Sequence, residues 1–475
     1  MRVLLLSTYE LGAQPLGIAG PAAALAAAGH EVRTCDLAVE PWPTEHVAWA
    51  EAVACSVPMH TALRLGRAAI ERLRRERPRL PVAFHGLYAP AAVHAGLLED
   101  GDVALGGEVD GGLVAWLDAL ARGTKPPGGL VLELGRPRPP LAGPPPARAG
   151  LPGLASYAVL VDGGERRLAA SVEASRGCNH RCRHCPVPVV YGGRSRALAL
   201  DRVLADVEAV VAAGAGHLRF ADPDFLNRPA HALAVARAVH ERWPDLGFDI
   251  TAKVSHLLEQ PEALAELVSL GLRFVISAFE STSERVLARL HKGHRPADLG
   301  TAVALARSLG VEIRPSLLPF TPWTTRDDVV DLFDFVAAHD LVPNVDPVQL
   351  AIRLLLPPGS LLLEDPDPEL AACLQGFEPD ALGVRWRSAD PLLDELQAAL
   401  SARAEEAGAR GEAAEDAYAA LRCLAFETLG RKDPGPPPLA VAPGPPAERR
   451  PRLTEAWFCC AEPTSAQLAP LEAPR

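Results

Sequence analysis

The stretch that most constrains this chain runs from Ser175 to Pro186 and reads Ser-Arg-Gly-Cys-Asn-His-Arg-Cys-Arg-His-Cys-Pro. Cys178, Cys182 and Cys185 stand four and three residues apart, just after an alternating, strand-like run at 169–174. A loop this tight can turn three thiolates into one hollow, and the rest of the fold must present that hollow at a strand end. Soft thiolates favour zinc, copper(I) or iron-sulfur clusters, and a structural zinc site normally closes with four ligands. A fourth cysteine is missing nearby. Three cysteines on a four-iron cluster leave one iron without a protein ligand and therefore open to chemistry. A zinc site completed by His180 or His184 is the alternative.

The sequence after this loop repeats a strand-helix unit. Asp201 can cap a helix carrying Val203, Val207, Val210 and Val211 on one side, stopped by Gly214. Strands are expected at 217–222, 248–252, 273–279, 311–318 and 348–352, with helices at 229–243, 261–270 and 326–338. Ser281-Thr282-Ser283-Glu284 has the form of a capping box, which makes Glu284 structural. With the strand before the cysteines, these units predict a partial, TIM-like (β/α)6 barrel open on one side, whose working residues sit at the carboxyl ends of the strands. Asp222 and Asp224 end the second strand, Lys253 the third and Glu280 the fourth, while Arg314 lies within the fifth.

The cysteine spacing matches the signature of radical S-adenosylmethionine enzymes, and the chain resembles that superfamily. The resemblance implies a 4Fe-4S cluster held by the three cysteines. It also implies S-adenosyl-L-methionine chelated to the open iron, and one-electron cleavage of its sulfonium to a 5′-deoxyadenosyl radical. His184 stands where the superfamily often has a benzenoid aromatic. Phe220-Ala221-Asp222-Pro223-Asp224-Phe225 occupies the place of the second-strand element that contacts the methionyl amino group, and is similar to the acidic variant of cobalamin-linked members. Ala278-Phe279-Glu280-Ser281 resembles the strand-four Gly-x-Glu-Ser element, and Leu290-His291-Lys292-Gly293 fits the same subgroup. By this resemblance Asp222, Asp224, Lys253 and Glu280 are cofactor-binding candidates; the structural alternatives are a helix start for the aspartates and a surface ion pair for Lys253.

Residues 1–122 also alternate strand and helix, with strands expected at 3–6, 31–35, 53–55, 82–84 and 103–105, which predicts a doubly wound, Rossmann-like parallel sheet. Its ligand rim would carry Ser7, Thr8, Ser56, His60, His85, Gly86 and Glu108. Neither a G-x-G-x-x-G after the first strand nor a G-x-x-x-x-G-K-[ST] occurs, so dinucleotide and nucleoside triphosphate binding lose support. Ahead of such a barrel, the layout is similar to a cobalamin-binding domain, although the Asp-x-His-x-x-Gly motif is absent. A proline- and glycine-rich connector with a small hairpin turned at 162–164 fills 123–168, and the barrel is expected over 169–355.

Residues 356–432 read as a helical region, and 433–475 as a tail freed by the proline stretch 434–446. Within it Trp457-Phe458-Cys459-Cys460-Ala461-Glu462-Pro463 matches the motif of the CUAEP/CCAEP-tail radical S-adenosylmethionine proteins, some of which carry selenocysteine in place of Cys460. That resemblance implies a chemically active Cys460 with Cys459 as its resolving partner.

A formal charge of −12 gives no basic footprint for nucleic acid. No secretory signal or membrane-spanning run is evident, and nine cysteines, an odd number, read as ligands or buried hydrophobes of a cytoplasmic protein. The functional expectation is a radical enzyme acting on a small molecule or peptide, with a flavodoxin- or ferredoxin-like electron donor. The alternative is an iron-sulfur electron carrier or metal-delivery protein.

Overall fold

A computed structural model describes residues 1–124, 128–133 and 140–455; Cys459 and Cys460 lie outside the described residues. The amino-terminal sheet contains β1 (Arg2–Ser7), β2 (Glu31–Asp36), β3 (Ala52–Ser56), β4 (Val82–His85), β5 (Val103–Gly107) and β6 (Gly129–Glu133). All neighbours are parallel, in the order β2-β1-β3-β4-β5-β6. Unbroken apolar runs such as Val3–Leu6 follow from burial on both faces. Leu63, Ile70 and Phe84 fill one side, and Ile18, Leu113 and Trp116 the other. The first five strands fall where the sequence places them. β6 falls in the expected connector, because the short run Leu130-Val131-Leu132 between proline clusters suffices to add an edge strand.

The second sheet starts from a hairpin of β7 (Val159–Asp162) and β8 (Glu165–Val172). Gly163 and Gly164 turn it with φ of +59° and +88°, the positive pair that two-residue hairpin turns demand. Beyond β8, the small antiparallel pair β9 (Ser175–Gly177) and β10 (Ser195–Ala197) frames the cysteine loop. β8 then pairs in parallel with β11 (His217–Phe220), followed by β12 (Gly247–Thr251), β13 (Leu272–Glu280) and β14 (Glu312–Leu317). Leu218, Phe248, Ile250 and Val275 face the surrounding helices, whereas Leu160, Phe274 and Ile276 form a separate inner cluster. The result is the expected half-barrel.

Three local expectations are corrected. Residues 348–352 do not form a sixth strand: Pro347–Leu350 is a 3-10 helix. The Gln349 side chain takes the Leu317 N–H at 2.9 Å, so a side-chain amide serves the sheet edge in place of a strand, and only the bridge Phe320–Arg353 remains. Asp201 sits inside the first turn of helix Leu200–Ala212, where a carboxylate favours the helix dipole, and Ala199 is the N-cap. The capping box at 281–284 does not close, because the Ser281 hydroxyl accepts from Ser283 N instead, and helix Glu284–Arg289 starts without a side-chain cap.

After the barrel, β15 (Leu374–Glu378) and β16 (Gly383–Trp386) form a hairpin, and helices Pro391–Arg410 and Ala414–Thr428 pack on the half-barrel through Leu396, Leu400 and Leu421. The proline stretch that follows does not free the chain. Ala440 N donates to Ala338 O, and Gly444 N to Asp340. Arg450, 4% exposed, binds Asp340 through Nη2 at 2.6 Å, Asp340 O through Nη1 at 2.6 Å, and Pro445 O through Nε at 2.8 Å. The chain then forms β17 (Arg452–Leu453), antiparallel to β7. Among the described residues no helix is long and apolar enough to cross a membrane.

Replacing Arg450 with Ala strips Asp340 and two carbonyls of buried partners, at a cost of about 3 kcal/mol. Chemical denaturation should register that loss, and limited proteolysis should cut between 434 and 455 faster than in the parent; unchanged cutting would show that the segment is held elsewhere.

Candidate functional site

The cysteine loop is built by close approaches that few residues allow. Gly177, just before Cys178, has φ of +76°, and a Cβ there would run into Arg194 O and the Tyr191 ring. Asn227 ties the loop by accepting from Asn179 N at 3.1 Å, and Asn179 Oδ1 accepts from Ser195 N at 3.0 Å. Pro186 begins helix Pro186–Tyr191 with Cys185 as its N-cap, and Gly192 ends it in the left-handed conformation. Cys178 and Cys185 pack beside Val187, Val190, Tyr191 and Leu87, and Cys182 is buried. None of the three forms a disulfide. Burial raises the Cys178 thiol, against the opposing pull of the His180 N–H.

The loop's two histidines reach two different groups at the barrel mouth. His184 Nε2 lies 3.1 Å from Glu280 Oε1, which Lys292 Nζ approaches at 3.0 Å. Burial opposes ionisation of Glu280, but the Lys292 ammonium and His184 overcome it and hold the carboxyl well below its ordinary range. Burial likewise disfavours the Lys292 charge; Glu280, then the Cys182 thiol, raise it above the usual lysine range. Glu280 adopts φ of +63°, at an irregularity in the β13–β14 register. That left-handed backbone turns its carboxylate into the mouth.

His180 belongs to the second group. Its Nε2 lies 3.1 Å from His256 Nε2, and His256 Nδ1 lies 2.8 Å from Asp224 Oδ2. Burial, then Lys253 and His256, lower His180 to about 4, leaving a neutral ring. The Lys253 ammonium lies beside Gly293. Asp224, His180 and His256 bring ligand atoms within 4.8 Å of one another and could hold a divalent metal ion.

Asp224, Lys253 and Glu280 stand around the cysteine loop, whereas Asp222 turns away. Its carboxylate accepts from Ala174 N at 2.9 Å and Ser175 Oγ at 2.5 Å, which fixes the chain entering the loop. Arg314 pairs with Asp346 inside the barrel. His256 and the pairing of His184 with Glu280 went unread in the sequence, because the partners lie 76 and 96 residues apart. The substitution of histidine for a benzenoid aromatic at 184 was the available signal, since an imidazole in that place invites a carboxylate.

The donor set fits an iron-sulfur cluster. Three cysteines that form no disulfide stand on one short loop, a buried ammonium lies within electrostatic reach of Cys182 and Cys185, and His180 is directed to Asp224 and His256. His184 keeps a buried Nδ1 without a hydrogen-bond partner, a polar atom that a bound group would satisfy.

The rim of the amino-terminal sheet closes on this mouth. Arg176, two residues before Cys178, bridges Glu108 at 3.3 Å and Asp110 at 3.4 Å, and also Glu173 at 2.9 Å. Tyr191 donates to Gly107 O, and His60 Nε2 lies 2.9 Å from Ala381 O. The Thr8 hydroxyl donates to Ala62 O within the domain. His85, at the end of β4, is lowered to about 4 by burial. In the loop after β1, Glu10 accepts from Gly17 N at 2.9 Å and lies 3.5 Å from Ser56 Oγ. This loop, Ser7-Thr8-Tyr9-Glu10-Leu11-Gly12, contains no imidazole, so it offers a corrin no lower histidine ligand.

Residues 172–336 match the family model described as the radical SAM superfamily, which makes this part of the chain a radical SAM domain. The cofactors that go with that domain are a 4Fe-4S cluster and S-adenosyl-L-methionine. Over 343 residues the chain is 24% identical to the Hopanoid C-3 methylase of Methylococcus capsulatus, a match covering 67% of this chain and 64% of that protein. The cobalamin-dependent S-adenosylmethionine radical enzyme OxsB, with aqua-cobalamin bound, is similar with a TM-score of 0.65 at 15% identity, over 84% of this chain and 66% of that one. The methyltransferase TsrM from Kitasatospora setae, with cobalamin and an iron-sulfur cluster bound, is similar with a TM-score of 0.53 at 20% identity, over 70% of each chain. These structural likenesses show a common fold, a parallel amino-terminal sheet ahead of a half-barrel. The match spans just under two thirds of the hopanoid methylase and of OxsB.

Burial, then the Asp36 carboxylate, push Glu10 up to about 8 against the pull of the Gly17 N–H; burial likewise raises Asp222 to about 7. A carboxyl raised in the folded state keeps its proton where the unfolded chain has already lost it, so its effect on stability grows less favourable as pH rises from about 4.5 to about 8. Glu10→Gln should therefore flatten the fall of Tm over that window and melt above the parent at its alkaline end. An identical Tm–pH slope in the variant would assign the dependence to other groups.

Proposed function

We propose that this chain is a radical S-adenosylmethionine enzyme that methylates a small molecule or peptide, with an electron donor such as a flavodoxin or ferredoxin. The observation that carries the reading is the loop of three disulfide-free cysteines after the carboxyl end of β8, backed by the buried Lys292–Glu280–His184 group. The hopanoid methylase and the TsrM methyltransferase support methyl transfer over hydrogen abstraction or sulfur transfer, and support an enzyme over an electron carrier. When bound, the cluster with S-adenosyl-L-methionine supplies one-electron reduction of the sulfonium.

The chain's own residues divide the remaining work. Cys178, Cys182 and Cys185 hold the iron. On this reading Asp224 receives the amino group of the methionyl moiety and Lys253 its carboxylate, the two opposite charges that an amino acid presents. Glu280 acts one step back, keeping Lys292 charged beside the thiols and His184 oriented. Asp222 positions the strand end rather than a ligand. Cobalamin, which both solved neighbours hold, is the further cofactor the amino-terminal fold supports. In the tail, whose motif resembles that of the CUAEP/CCAEP-tail proteins, Cys460 serves as a reactive thiol with Cys459 next to it in sequence. Seven described cysteines outside any disulfide and a reducible cluster suit the cytoplasm.

Anaerobic protein reconstituted with iron and sulfide, then given dithionite and S-adenosyl-L-methionine, should release 5′-deoxyadenosine or S-adenosylhomocysteine, and Cys182→Ser should release neither. A fully loaded cluster that leaves the cosubstrate intact would sink the reading. Protein produced with added cobalamin should also carry corrinoid absorbance after gel filtration; a spectrum with iron-sulfur bands alone would remove cobalamin from the scheme while leaving the rest.

A further inference from the structure

Where the second and third barrel strands end, side chains from three separate segments converge. His180 comes from the cysteine loop, Asp224 from the turn after β11, and His256 from the first turn of helix Val254–Glu259. Asp224 is fully buried, and its Oδ1 accepts from Leu226 N at 3.0 Å, which fixes the carboxylate and leaves Oδ2 to the imidazoles. The two rings are tilted by 51° with centroids 4.6 Å apart. They do not stack; they meet at their Nε2 atoms, 3.1 Å from each other.

Asp224 Oδ2 lies 2.8 Å from His256 Nδ1 and 3.8 Å from His180 Nε2. Close as it is, the first contact is not a hydrogen bond: the buried His256 Nδ1 has no hydrogen-bond partner, so the axis on which it would carry a proton points past the carboxylate. Two donor atoms that approach without aiming at each other stand as neighbouring ligands of one ion do, with lone pairs that cross at a third point. Metal bonds of about 2.1 Å put neighbouring ligand atoms roughly 3.0 Å apart in an octahedron and roughly 3.4 Å apart in a tetrahedron. Whichever nitrogen His256 contributes, its nearest partner is at 2.8 or 3.1 Å, and one ligand atom from each residue lies within 4.8 Å of the other two. A proton relay through the same three residues would need Nδ1 aimed at the carboxylate, which it is not.

We propose that His180, His256 and Asp224 bind a divalent first-row metal ion, of the iron(II) class, at the barrel mouth and separate from the iron held by the cysteines. Two imidazoles and one carboxylate are the donor set that such ions take on one face, with the remaining positions open to water or to an oxygen donor of a substrate. Lys253, whose charge reaches His180, opposes a dication and keeps the ion exchangeable. Asp224 Oδ2 is also the atom offered to the methionyl ammonium, so ion and cosubstrate exclude each other there. That exclusion alone rests on the methyltransferase reading; the ion site rests on the three side chains.

The test uses full-length protein with its cluster loaded and oxidised, which occupies the cysteines and is silent in electron paramagnetic resonance, and it omits S-adenosyl-L-methionine. Manganese(II) is the probe: its six-line solution signal falls on uptake, and electron spin echo modulation shows whether imidazole nitrogen is bound. The parent should take up a single ion per chain with nitrogen modulation, a readout that needs no variant. His256→Ala lies outside the cysteine loop and should keep the cluster absorbance while weakening uptake about 10-fold or more, the scale that even outer-shell partners of a metal command. Asp224→Asn should weaken it likewise. No uptake by the parent, uptake without nitrogen modulation (an adventitious ion only), or undiminished uptake in His256→Ala would each overturn the proposal. Turnover is not measured, so the two readings fail separately: a protein that binds the ion but never cleaves S-adenosyl-L-methionine loses only the methyltransferase reading, and an active one that binds no ion loses only this inference.

Discussion

The half-barrel mouth is a place where charge must be matched inside a largely closed space. Three cysteines proposed to bind metal as thiolates would bring negative charge to one short loop, and Asp224, Glu280 and Glu173 add carboxylates around it. Two unit charges 4 Å apart interact by about 4 kcal/mol at an effective dielectric of 20, and each buried ion loses several kcal/mol of hydration. Lys292, Lys253 and Arg176 are the compensating cations, each set against a different part of the loop or its approach. Glu280 meets Lys292 only by way of a left-handed backbone at a non-glycine residue, a conformation that costs roughly 1–3 kcal/mol. Such strain persists because the β13–β14 ladder on one side and the ammonium on the other hold it.

From that matching follows the division of labour between the two loop histidines. His180 and His184 are four residues apart, yet one reaches the ends of the second and third barrel strands and the other the fourth. The cysteine loop is consequently braced against three strands by side chains from within its own sequence. Asp222 completes the arrangement by clamping Ala174 and Ser175. A loop positioned this way can keep its thiols in register without a disulfide or a long hydrophobic anchor.

What the sequence revealed was mostly local. The cysteine spacing, the apolar runs of the parallel strands and the Gly163-Gly164 hairpin are short-range signals whose physics is complete within a few residues. The run at 348–352 looked like a strand because it is apolar, but Pro347 and the buried Gln349 amide redirect it. The proline stretch at 434–446 looked like a free tether because composition speaks only of chain stiffness. What fastens it is long-range: Arg450 on Asp340, with Glu312, Arg307 and Asn344 closing the same buried network. Likewise Asp224 and His256 are ordinary residues in sequence, and become a site only when two strand ends are brought side by side.

The remaining step concerns the two ends of the chain. Tyr9 and Glu455 are 446 residues apart and meet at a cleft that Glu455 lines with Arg219 and Arg314 of the half-barrel. Contacts of such separation reward the chain only after the intervening loop-closure entropy has been met. The cysteine loop, by contrast, is built mainly from neighbours such as Gly177, Tyr191 and Ser195. The chemistry-bearing loop and the crevice that faces it are thus assembled on different terms: one is set by local sequence, and the other by the docking of the amino-terminal rim and the final strand. A fold made in this way can keep one reactive centre while changing what is admitted to it, because residues at the chain ends can vary without disturbing the thiols or the charges that hold them.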